Sequence, residues 1–240
     1  MTSIYFNHMM KTGGRTASKV IFESLGLPGE PRFKSGHKMC NFSAWDITAT
    51  IIREPTSRLL SHYRMLMQHE LSGFSIPPHR EAELGADDPV WLGDNFEDFL
   101  INFPNKWKLH QLYFYSKTGD VGEAFSNIIQ NTQIILFERR EEGFGRLANK
   151  LRLDDKIGAR LELKGGGRKA PKFFQDQKPP EWQTTKNISL KVDDDQALKM
   201  KKVLEKEYEF YNRVIDYYNW ESVHYEFYNR VIDYYNEEKI

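Results

Sequence analysis

The chain has a single cysteine, Cys40, among its 240 residues, so it forms no internal disulfide and holds no cysteine cluster for structural zinc. A reducing compartment is the simpler expectation. Long apolar runs are also missing. No window approaches eighteen consecutive apolar residues, which excludes a membrane-spanning helix. Met1 leads almost directly into a strand-like run, without the basic segment and apolar stretch of a secretory leader, so a cytoplasmic location is expected. There is no bulk excess of charge of one sign. The 34 Lys and Arg balance 34 Asp and Glu, so nucleic acid is not the default partner and any anion site must be local. The Walker A pattern GxxxxGK[ST] occurs nowhere, which argues against an ordinary ATPase or GTPase. What the chain does have is 40% hydrophobic and 14% aromatic residues, enough for one full core at this length but not for two.

Residues 3–10 (SIYFNHMM) form a short aromatic and apolar run that suits a buried strand, and they lead straight into Lys11-Thr12-Gly13-Gly14-Arg15-Thr16. From Thr16 the positions Ala17, Val20, Ile21 and Leu25 give one helical face, stopped by Gly26 and Pro28. Residues 46–52 (DITATII) read as a second buried strand. After Arg53-Glu54, Pro55 opens a helix whose face is Leu59, Leu60, Tyr63, Leu66 and Met67. The third strand–helix unit is QIILF at 133–137, followed by a helix through Phe144, Leu147, Ala148 and Leu151. Strands that alternate with helices predict an α/β sandwich around a largely parallel sheet. Residues 68–95, with Pro77-Pro78 and Pro89, read as a long surface excursion. Residues 163–180 read as a cationic loop carrying Lys164, Arg168, Lys169, Lys172 and Lys178 against Asp176 alone.

The sequence YEFYNRVIDYYN occurs twice, at 208–219 and 225–236, an offset of 17 residues. In one unbroken helix that offset turns the second copy by roughly 100° from the first. The first copy continues a stripe of Leu204, Tyr208, Tyr211, Ile215 and Tyr218 and is expected to dock. The expected division is therefore a domain at 1–219 with an appended helical segment at 220–240.

A glycine turn between a buried strand and a helix aims backbone N–H groups at one point, where the helix dipole also favours an anion. In residues 11–16, Gly13 and Gly14 admit close approach of a phosphate. Lys11 adds a point charge, and Arg15 and Thr16 add donors. At the second junction Arg53 leaves the strand end, and Ser61 lies on the second turn of the following helix. Two readings are open for this pair: a shared phosphate contact, or a surface salt bridge for Arg53 with a helix-backbone bond for Ser61. Residues 11–64 hold nine Lys or Arg against four Asp or Glu, a local net of +5 in a neutral protein, whereas 203–240 hold nine acids and four bases.

His8-Met9-Met10-Lys11-Thr12-Gly13-Gly14 followed by a helix resembles the 5′-phosphosulfate loop of sulfotransferases. Ile51-Ile52-Arg53-Glu54-Pro55, continuing through Arg58-Leu59-Leu60-Ser61-His62-Tyr63, resembles their 3′-phosphate motif. The two motifs stand in the right order about forty residues apart. The likeness leans towards the carbohydrate-type branch that includes heparan sulfate 2-O-sulfotransferases. It departs from the common pattern at Arg15, which shifts the hydroxyl to Thr16, and at Glu54, where Asp is usual.

The resemblance implies a P-loop-like three-layer sandwich with a central, mostly parallel sheet flanked by helices. It also implies transfer of a sulfuryl group from 3′-phosphoadenosine 5′-phosphosulfate (PAPS), with 3′-phosphoadenosine 5′-phosphate (PAP) as product and no metal. The acceptor would be a hydroxyl of a carbohydrate or small metabolite. Lys11 would contact the departing 5′-phosphate, held by Thr12, Gly13, Gly14, Arg15 and Thr16, while Arg53 and Ser61 would grip the 3′-phosphate. His37, in Lys34-Ser35-Gly36-His37, would be the base that deprotonates the acceptor, since histidine titrates near the working pH. Arg168 and Lys169 would cover the nucleotide. Trp91, Trp107, Tyr113 and Tyr115 read as core more readily than as sugar-stacking faces. Two competing classes stay open: a nucleotide-dependent kinase, and a non-catalytic nucleotide-binding module that self-associates through its terminal helices as a homodimer.

Overall fold

The computed structural model describes residues 3–7, 9, 33–36, 42–71, 96–150 and 192–237. Four strands, β1 (Ile4–Asn7), β2 (Phe33–Gly36), β3 (Ile47–Ile52) and β4 (Gln133–Leu136), form one sheet in the order β2-β1-β3-β4. Every pairing is parallel, with Asn7 opposite Gly36 and Thr50, and Ile52 opposite Leu136. Helix α1 (Pro55–Leu71) follows β3. Helices α2 (Phe96–Asn102), α3 (Asn105–Lys108), α4 (His110–Tyr115) and α5 (Val121–Asn131) precede β4, and α6 (Arg140–Lys150) follows it through a 3-10 turn at Phe137–Arg139. The chain then forms α7 (Asp194–Val203) and α8 (Glu205–Glu237).

β1, β3 and β4 are buried along their whole length, as parallel strands covered on both faces must be. Side chains of alternate residues go to opposite faces. Ile4, Phe6, Ile47, Ala49, Ile51 and Ile135 pack against Phe144 and Leu147 of α6. Ile52, Ile134 and Leu136 join the larger core, with Leu59 and Tyr63 of α1, Phe99, Leu112 and Ile128 of the intervening helices, and Leu204, Phe210, Val214 and Tyr218. Helices therefore cover both sides of the sheet, which is the expected α/β layering. Each fully buried Ile, Leu or Phe contributes roughly 1.5–3 kcal/mol.

β2 is not among the strands expected from the sequence. Phe33-Lys34-Ser35-Gly36 has no apolar run, and only its backbone pairing with β1 makes it a strand. The strands expected at 46–52 and 133–137 each lose one end residue. α5 starts at an Asp120 cap, whose side chain accepts the Glu123 N–H at 2.7 Å. The turn before it needs Gly119 at φ 74°, where a Cβ would also meet the Tyr113 ring.

α8 is one helix of 33 residues that runs through both copies of the repeat. The first copy docks through Phe210, Tyr211, Val214 and Tyr218, all buried. What precedes each copy differs, and this decides the register. Glu207 stands before the first copy and His224 before the second. Glu207 is wholly buried and takes both Nε (3.1 Å) and Nη2 (2.9 Å) of Arg58, which is also wholly buried. The Arg58 guanidinium further donates to the carbonyls of Trp107 and Lys108. A histidine at that place would leave the Arg58 charge buried without a carboxylate.

Candidate functional site

The strand order marks the edge at which an open parallel sheet of this kind would take a ligand. From β1 the chain moves outward to β2, then returns to the other flank of β1 to form β3, so its direction reverses between β1 and β3. In open parallel sheets ligands bind at that reversal, beyond the carboxyl ends of the strands. Because all pairings are parallel, the ends of all four strands lie on one edge. Arg53 is the residue after β3, the segment containing Lys11 follows β1 in sequence, and His37 follows Gly36 of β2. Lys11, Thr12, Gly13, Gly14, Arg15, Thr16, His37, Arg168 and Lys169 themselves lie outside the described residues, as do the 72–95 part of the excursion and the cationic loop.

Arg53 is held at both its backbone and its side chain. Its N–H donates to Gln111 Oε1 at 2.7 Å, and Gln111 Nε2 donates back to its carbonyl at 2.8 Å. This closed pair replaces the ladder bonds that end with the strand. The Gln111 N–H donates in turn to Glu207 Oε1 at 3.1 Å, so the corner carrying Arg53 is tied to the buried Arg58–Glu207 pair. The guanidinium of Arg53 donates from Nε (3.1 Å) and Nη2 (2.7 Å) to Ser57 Oγ and lies over the Phe137 ring, 4.4 Å from its centroid. Burial lowers its pKa, with Glu138 and Glu54 pulling the other way. Arginine is so basic that it stays charged regardless. A half-buried, stacked guanidinium loses less side-chain entropy on binding an anion than a free surface arginine does.

Glu54 caps α1. Its carbonyl accepts the Arg58 N–H, and its carboxylate accepts the N–H groups of Thr56 (3.0 Å) and Ser57 (2.6 Å). Its own N–H donates to Glu138 Oε1 at 2.9 Å, which joins the end of β3 to the turn after β4. Tyr208 donates to Glu54 and lies 2.6 Å from Thr56 Oγ1, while Tyr211 donates to Glu138 Oε2 at 3.2 Å. Burial, reinforced by the carboxylates, pushes Tyr208 up to about 12 and Tyr211 higher still, so both phenols keep their protons and act as donors. Glu54 is thus a working helix cap.

Ser61 is half-buried on α1, one turn beyond Ser57 and on the same face. Sequence reasoning placed Arg53 and Ser61 at one junction but missed Ser57 and Gln111. The Arg-x-x-x-Ser spacing across a Pro-opened helix was the available signal for Ser57. No sequence signal marks Gln111, 58 residues away. Two further histidines are packed in the core: His62 lies edge-on against Phe103 (5.1 Å), and His110 lies tilted against Trp107 (5.0 Å). Trp107 and Tyr115 are core residues. Among the described residues there is no group of three or more His, Cys, Asp or Glu suited to a metal, and no helix long and apolar enough to cross a membrane. No protein-family model, curated protein or solved structure matches the chain.

Proposed function

We propose that this chain is a sulfotransferase of P-loop-like fold that moves a sulfuryl group from PAPS to a hydroxyl of a carbohydrate or small-molecule acceptor. The observation that carries the reading is the placement of Arg53. It is clamped at the carboxyl end of β3, next to β1 at the reversal of strand order, and the segment His8-Met9-Met10-Lys11-Thr12-Gly13-Gly14 starts where β1 stops. Adjacent strands are about 4.8 Å apart, so two phosphate-gripping segments leave the sheet side by side. A nucleotide with phosphates at both its 3′ and 5′ positions suits such a pair.

In this scheme Arg53 and Ser61 hold the 3′-phosphate, and residues 12–16 hold the 5′-phosphate. The acceptor oxygen attacks sulfur in line as the bond from sulfur to the 5′-phosphate oxygen breaks. His37 takes the acceptor proton. Lys11 meets the negative charge that grows on the departing oxygen, and PAP leaves. Arg168 and Lys169 cover the nucleotide. The scheme asks for no metal.

Calorimetry with PAP, and separately with ATP and magnesium, tests the reading. The expected result is PAP binding without metal, with sulfuryl transfer nearly abolished in Lys11→Ala and Arg53→Ala. His37→Ala is expected to keep PAP affinity and lose turnover. Binding of ATP–magnesium in preference to PAP would replace sulfotransfer by phosphotransfer, and full turnover in His37→Ala would remove the histidine from the role of base.

A further inference from the structure

Arg64 has no role in the scheme above, yet its surroundings ask for one. Ser57, Ser61 and Arg64 are spaced at i, i+4 and i+7, so they share one face of α1, and Arg53 is bonded to the first of them. Helical side chains lean towards the helix N-terminus, which carries a residue at 64 back over 61 and towards 57. The positive charge of Arg64 is close enough to Arg53 to count among the causes that lower its pKa. Arg64 Nε is buried and has no hydrogen-bond partner. Arg53 has Glu138 and Glu54 near it. Arg58 has Glu207, and Arg139 and Arg146 share Glu142. Among the described residues no carboxylate pairs with Arg64. Glu138 and Glu54 offset part of the Arg53 charge, whereas Arg64 adds a second positive charge beside two hydroxyls on the same face and keeps a buried N–H left over, an arrangement that a bound anion would relieve.

We infer that Arg64 is a further anchor of the anion site formed by Arg53 and Ser61, and that this site selects a phosphomonoester dianion over a hydroxyl. The identification of that dianion as the 3′-phosphate of the nucleotide rests on the sulfotransfer reading. The anion site does not. A monoester carries about 1.5–2 negative charges at neutral pH, which two guanidiniums match and one does not. A nucleotide with a bare 3′-hydroxyl offers them nothing to bind.

The test compares the wild type with Arg64→Ala and Arg64→Gln, the second keeping the length and polarity of the side chain as a guard against misfolding. Calorimetry is run with PAP and with adenosine 5′-phosphate, and the arginine Nε–H signals are followed by NMR during titration with PAP and with inorganic phosphate. The expected result is a loss of PAP affinity of about ten- to a hundredfold in both variants, the loss typical of a charged hydrogen bond. Adenosine 5′-phosphate affinity should stay within twofold, and the Arg53 and Arg64 signals should move together. PAP affinity within twofold of wild type in both variants overturns the role of Arg64 and leaves sulfotransfer standing. If PAP does not bind but phosphate moves both signals, the anion site stands and the sulfotransfer reading falls. If neither ligand moves the Arg64 signal, the inference is overturned.

Discussion

Replacing Glu207 by alanine removes the only carboxylate among the described residues that meets Arg58 and leaves a wholly buried guanidinium with two backbone carbonyls. It also takes the acceptor from the Gln111 N–H. Deleting one partner of a buried ion pair costs about 3–5 kcal/mol, mostly because the surviving charge stays desolvated. That is a large part of a total stability of roughly 5–15 kcal/mol. For a domain of this size, about 2–4 °C of melting temperature goes with each kcal/mol, so the expected drop is about 6–20 °C. Urea titration should show the midpoint falling with an unchanged slope, since the surface exposed on unfolding barely changes. The cycle with Arg58→Ala should give a coupling of about 2–3 kcal/mol, the double variant losing far less than the two single losses together. A loss under about 1 kcal/mol in Glu207→Ala, or additive losses in the cycle, would refute the claim that this pair decides which copy of the repeat docks.

Three further outcomes are open to measurement. Burial raises the pKa of Glu142, but hydrogen bonds from Arg146 and Arg139 outweigh it and leave the carboxyl below the ordinary glutamate value. Its folded form therefore binds its proton less readily than the unfolded chain does. The stability it contributes is complete above about pH 4.3 and is lost as pH falls through the lower folded value. Glu142→Gln should flatten that acid limb in a plot of melting temperature against pH. Gly119→Ala, at φ 74°, should cost roughly 1–2 kcal/mol in urea denaturation, even if the Tyr113 ring swings aside. Asp193→Ala breaks the capping box with Gln196 at the start of α7 and should cost about 1 kcal/mol by the same measure.

The legible parts of this fold were those written in short, contiguous patterns. Ile4–Asn7, Ile47–Ile52 and Gln133–Leu136 are short runs without charged residues, rich in apolar and β-branched side chains, as parallel strands buried on both faces require. Pro55 marked the start of α1 because its fixed φ and missing N–H suit a first turn. Phe33–Gly36 was illegible because an edge strand can be made by backbone bonds alone. The same limit applies to the site. Arg53 could be picked out from its place after a strand. Its support by Gln111, 58 residues on, and the joining of Arg58 to Glu207 across 149 residues, arise only when the chain closes on itself.

The contacts from Glu207 and Tyr208 to the corner after β3 also set an order in time. They join residues 149 and 154 positions apart, and ribosomes add roughly 5–20 residues each second. Arg58 therefore emerges about 7–30 s before its carboxylate exists and must stay hydrated through that interval. A nascent chain stalled before residue 205 would carry Arg53 with Gln111 and Ser57 but without the Glu207 and Tyr208 contacts that hold Gln111, Arg58 and Glu54, so full anion binding at this corner is expected to arrive late in synthesis.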